Sequence, residues 1–151
     1  MGILEKLFHK RFTEKLHDSV ELVKLGVLNR LAEKYKGIYE HETADSLASA
    51  VVSELFYEKP TDPVAKDFFA TNKHLIDKEM ANLQYDEQVC KVVTQAIRIK
   101  SSLLHQQEEE TAKSLDGHIE ELRRLGIFHE DVYNPPPNMF HQIAADFYQE
   151  Q

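Results

Sequence analysis

Residues 86–126 read DEQVCKVVTQAIRIKSSLLHQQEEETAKSLDGHIEELRRLG, and the fold class follows from how that stretch begins, repeats and ends. Asp86 can cap a helix because its carboxylate accepts from the free backbone N–H groups of a first turn, and Glu87 adds negative charge at the positive end of the dipole. Val89, Val93, Ala96, Ile97, Leu103 and Leu104 then recur at spacings of three and four, which puts one apolar stripe on one helical face. At the far end, Leu122-Arg123-Arg124-Leu125-Gly126-Ile127 supplies cations for a last turn, a glycine able to turn left-handed, and an apolar residue to pack back on Leu122. Between these ends, Gln106 to Glu110 carries no apolar residue and Asp116-Gly117 can break a helix. The stretch predicts one long helix over 86–125 with its weak point near Gly117.

Working outward, the same period appears on both sides. Leu4, Leu7, Phe8 and Phe12 lead into Leu16, Val20, Val23, Val27, Leu31 and Tyr35, a helix over 4–36 in which Gly26 marks a close helix crossing. Ala44, Leu47, Ala48, Val51, Val52, Leu55 and Phe56 define a helix over 43–58, ended by Lys59-Pro60. Thr61-Asp62-Pro63 caps a further helix over 63–82, which offers Phe68, Phe69, Ile76, Met80 and Leu83 to a core. Beyond Gly126, Asn134-Pro135-Pro136-Pro137 is stiff and extended, and Asn138 can cap a short final helix. The predicted architecture is all-α: an elongated antiparallel bundle of four main helices over 1–126. A Pro-rich linker and a C-terminal amphipathic helix follow over 127–151, packed on the bundle or on a partner. Phe140, Ile143, Phe147 and Tyr148 are the partner-binding candidates on that last helix.

The formal charge of −8 repels phosphate backbones, so no DNA binding is expected. The lone Cys90 suits a reducing compartment, and there is no apolar run of membrane-spanning length and no secretory apolar core at the start. The expected location is the cytoplasm. Residues 3–15 nonetheless combine Ile3, Leu4, Leu7 and Phe8 with Lys6, Lys10, Arg11 and Lys15, a pattern that can lie on an anionic membrane surface.

Two constellations bear on chemistry. Glu14, His17 and Glu21 share a helical face and are the only metal-ligand candidates, but diiron bundles need two Glu-x-x-His units and this chain has one. No metal or other cofactor is expected. Arg98 and His105, six residues between them, lie on one face of the long helix. This pair resembles the Arg-x(4–6)-His motif of HEPN-domain ribonucleases, compact all-α proteins in which two subunits bring Arg and His to a shared cleft. The resemblance implies a metal-free ribonuclease in which His105 moves protons and Arg98 stabilises phosphoryl charge. Arg11 with His17, five residues between them, and Arg124 with His129, four between them, also fit the motif, and Ile99 is apolar where the family is usually polar.

The leading expectation is a non-enzymatic helical interaction or adaptor protein, with the HEPN-type ribonuclease and a peripheral membrane adaptor anchored by 3–15 as alternatives. A homodimer is also expected. A continuous helix over 86–125 would be about 60 Å long, whereas a compact domain of this size is roughly 38 Å across. The overhanging stripe would call for a second copy to cover it. The face of Thr94, Gln95, Arg98, Ser101, Ser102 and His105, opposite the stripe, is then expected to stay wet or line a cleft between subunits.

Overall fold

A computed structural model describes residues 2–129, the side chains of Glu5 and Phe8 apart. The Pro-rich linker and the C-terminal helix, with Phe140, Ile143, Phe147 and Tyr148, lie outside the described residues. Within them the chain is all-helical: α1 (Ile3–Lys34), α2 (His41–Leu55), α3 (Pro63–Thr71), α4 (Lys73–Asn82), a 3-10 turn (Leu83–Tyr85), α5 (Glu87–Gln107) and α6 (Glu109–Arg124). None of these helices is long and apolar enough to cross a membrane.

α1 and α5 are the antiparallel spine. Arg30 lies 3.7 Å from Asp86 at one end, and Gln107 lies 3.3 Å from a ring nitrogen of His9 at the other. Between them a Cβ on Gly26 would stand 3.1 Å from Val89 Cγ2, so glycine sets how closely the two helices approach. α2 packs along α1, and the shared core is a contiguous cluster that includes Val23, Val27, Leu31, Leu47, Val51, Leu55, Val93 and Ile97. Asp86 caps α5 by accepting from the Val89 amide at 3.2 Å, as its position before the apolar stripe predicts.

The long helix over 86–125 is not continuous, and its break is not at Gly117. The chain leaves the helix at Glu108 (φ −139°, ψ 75°) and α6 folds back antiparallel along α5. Asp116 comes within 3.3 Å of His105, and the His129 amide donates to Thr94 Oγ1 at 3.1 Å. The cause lies in the sequence. Gln106 to Glu110 has nothing apolar to hold a straight helix against a core, and at the hinge Glu109 and Glu110 fall in the first turn of α6, where the helix dipole favours acids. Gly117 faces open space on the outer side of α6 and is carried through as helix because Leu115, Ile119 and Leu122 bury the inner side.

This fold-back removes the length mismatch that called for a second copy, since α5 by itself is about 32 Å long. It also corrects the expectation for the polar face: Thr94 and Ser101 are buried, with Thr94 donating to the Cys90 carbonyl and accepting from His129. The stop of α6 forms as its residues dictate. Gly126 takes φ +80°, its amide donates to the Arg123 carbonyl, and the Ile127 amide donates to the Leu122 carbonyl, both at 3.0 Å, while Ile127 and Leu122 are both buried.

The helix predicted over 63–82 is likewise two helices. Asn72 (φ −110°, ψ 21°) interrupts it, its side chain donating to the Phe68 carbonyl at 2.9 Å. Asparagine competes for backbone hydrogen bonds in this way and so disfavours helix interiors. The kink points α4 into the core through Ile76 and Met80 and leaves α3 at its edge, where Phe68 and Phe69 pack against the core half-buried.

Candidate interaction groove

α3 starts cleanly, with Asp62 accepting from the Ala65 amide at 3.0 Å and Pro63 in the first turn. Yet α3 buries no residue. Phe68 and Phe69, predicted as core, are only half-buried, and Val64 is 77 % exposed. The helix leans on α2 across a row of small side chains, Ser49, Ala50 and Ser53, that do not fill the space below it. What remains is an open cleft of about 300 Å³ between the two helices, and a second recess of about 360 Å³ on the far side of Phe69. Asp45 and Asp62 edge the first; Glu54, Glu58, Lys59 and Lys66 edge the second. Both are of a size to accept apolar side chains from another helix, and the small floor residues let a backbone come close.

The end of the groove is held by the way α2 stops. Tyr57 takes a left-handed conformation (φ +55°) where glycine is usual, at a cost of roughly 1 kcal/mol. The Glu58 amide, donating to the Ser53 carbonyl at 2.8 Å, closes that turn. The last carbonyls of α2 are taken by neighbours: Lys100 Nζ donates to Phe56, and His118 Nε2 donates to Leu55 at 2.9 Å. A carbonyl only accepts, so His118 carries its proton on Nε2 there. The Tyr57 ring lies over His118 with centroids 5.1 Å apart. α5 and α6 together therefore fix the rigid side of the groove.

The structure separates the other candidates. Glu14, His17 and Glu21 are exposed on α1, and among the described residues no three His, Cys, Asp or Glu side chains group as metal ligands. Arg98 and His105 stand on α5, but the two ring nitrogens of His105 face Glu109 and Asp116, each at 3.3 Å. Two carboxylates beside the proposed proton carrier repel an approaching phosphate. Cys90 is buried with Sγ 3.0 Å from the Leu83 carbonyl, and burial pushes its thiol up to about 11, so it is no nucleophile near neutral pH. The basic start of α1 is exposed at Ile3, Leu4 and Leu7.

Two features escaped sequence reasoning. The groove did, because Phe68 and Phe69 at helical spacing look like core. So did a buried carboxylate: Glu79 is 1 % exposed on the inner face of α4, where Lys34 Nζ and Tyr35 Oη both donate to its Oε1 at 2.6 Å. Its position three residues after Ile76 and four before Leu83 on the apolar face was the available signal. Burial first, and then the Glu79 carboxylate, push the Tyr35 phenol well above its ordinary range. Lys34, 37 % exposed in its side chain, connects this cluster to solvent, so it holds α1 to α4 rather than forming a cleft. Compared with known protein families, with curated proteins and with solved structures, the chain shows no match.

Proposed function

We propose that this chain is a non-enzymatic interaction module whose α2–α3 groove receives an amphipathic helix of a partner protein. One observation carries the reading: α3 displays Val64, Phe68 and Phe69 beside an open cleft while burying none of its own residues. Phe68 and Phe69 each turn one side to the core and leave the other facing the cleft, an apolar surface of the kind a partner covers. The partner helix fits with two apolar anchors on one face, one on each side of Phe69, and a cation toward Asp45 and Asp62. Each phenylalanine fully covered on binding supplies about 1.5–3 kcal/mol, so a weak, exchangeable complex is the natural outcome. Asp116, Glu109 and the overall charge argue for a protein partner over a nucleic acid.

The test is a photoreactive benzoylphenylalanine placed at Val64 and, as a control, at Ile38, exposed outside the groove. A single protein crosslinked from position 64 and not from 38, and lost with Phe69→Asp, supports the groove. Replacing Phe69 with Ala should then weaken that complex by about 10- to 100-fold, measured by titration with the identified partner. Equal crosslinking from both positions, or capture indifferent to Phe69→Asp, would contradict it.

A further inference from the structure

We propose that the outer face of α1 pairs with the same face of a second copy of this chain, antiparallel and about a two-fold axis that passes between Glu14 and Lys15. This goes beyond the groove reading and does not depend on it. Phe12, Val23, Val27 and Leu31 turn one side of α1 to the core that it shares with α2 and α5. By the helical period, Leu4, Leu7, Leu22 and Leu25 lie on the opposite side, and each is between 40 % and 61 % exposed. Leu22 and Leu25 follow Leu4 and Leu7 at an interval of 18 residues, five turns at about 3.6 residues each, so both pairs sit in line on one straight face. A single exposed leucine is ordinary, whereas two such pairs in line on one helix form an apolar seam.

The charges between the leucines identify the occupant. On the same face the chain carries Arg11, Glu14, Lys15 and Asp18, and each sign is reversed at the position equally far from the midpoint of the seam. Laid antiparallel with Glu14 level with Lys15 of the second copy, Leu4 meets Leu25, Leu7 meets Leu22 and Arg11 meets Asp18, and every pair occurs twice. A two-fold contact needs a surface complementary to itself, and here a single register satisfies the apolar and the charged positions together. A parallel pairing in register would set each charge against its own kind. An anionic lipid surface is the poorer cover, because the exposed carboxylates of Glu14 and Asp18 would face it between the leucines. The contact also uses a different helix from the one whose expected length first called for a second copy.

Sedimentation equilibrium of the full chain tests this. The mass should move from one chain toward two between about 1 and about 100 µM. Leu22→Asp should raise the dissociation constant at least about tenfold and leave the helical circular dichroism unchanged, since Leu22 lies outside the core. The register is read by cysteine crosslinking with copper phenanthroline as oxidant. A mixture of Leu7→Cys and Leu22→Cys chains should give the mixed disulfide, while Leu7→Cys alone should not, because its two copies would stand about 22 Å apart along the axis. The mass of one chain throughout the range overturns the proposal, as does a dimer indifferent to Leu22→Asp. A dimer lost with Phe69→Asp and kept with Leu22→Asp overturns it in favour of the groove. Crosslinking of Leu7→Cys to itself as readily as to Leu22→Cys overturns the antiparallel register. Binding of phosphatidylserine vesicles by a chain that keeps the mass of one copy overturns it in favour of a lipid surface.

Discussion

Leu115→Ala is expected to lower the unfolding free energy by about 2–5 kcal/mol, the range for truncating a fully buried leucine whose surroundings cannot collapse. Leu115 is 0 % exposed, on the inner face of α6 with Ala112, Ile119 and Leu122. In a chain of this length that is a fall in melting temperature of about 5–15 °C, read by calorimetry. The size of the effect bears on the architecture. On a straight helix running past Gln107, Leu115 would project beyond the bundle with little of its own chain to pack against, and the substitution would cost a few tenths of a kcal/mol. A small effect would therefore speak against the fold-back.

Lys34→Met should cost about 3 kcal/mol at neutral pH, because it leaves a buried carboxylate with a tyrosine as its only donor. Glu79 is 1 % exposed, accepts from Lys34 and Tyr35 on one oxygen, and has no hydrogen-bond partner for the other among the described residues. Adding Glu79→Leu to Lys34→Met is expected to restore stability to within about 1 kcal/mol of the unaltered chain, since a well-packed apolar pair often equals or betters a buried ion pair. Urea unfolding of the two variants measures both numbers. If the double variant is as unstable as the single one, the charge left behind is not the cause, and the cost comes instead from lost packing of the Lys34 stem.

The caps and stops were the parts of this fold most legible in the sequence. Asp62, Asp86 and Gly126 do what their chemistry requires within a few residues of chain, so local reading suffices for them. The bends were harder. Glu108 and Gly117 are both plausible breaks, and what decides between them is tertiary: α6 gains a buried inner face by folding at Glu108, and once it is docked a glycine on its outer face costs only about 1 kcal/mol. Asn72 was missed because the apolar pattern runs through it. Apolar spacing also could not distinguish Ile76, which is buried, from Phe68 and Phe69, which stand beside an empty cleft. The groove arises from a kink and from the small residues of a neighbouring helix, neither of which periodicity records. At His105 both kinds of information meet: Glu109, four residues on, is visible in the sequence, whereas the Asp116 carboxylate at the other ring nitrogen is brought there by the fold-back.

With α6 folded back onto α5, Thr94 and Ser101 are buried, whereas the α2–α3 cleft is open and Ile3, Leu4 and Leu7 are exposed. Spin labels at Gln95 and Arg124, both exposed, measure that fold-back directly by pulsed electron resonance in protein diluted with unlabelled chain. With α6 packed antiparallel one helix diameter away, the labels should lie within about 25 Å of each other. A single distance near 44 Å, the span of 29 residues at the helical rise, would mean a continuous helix and contradict the fold described.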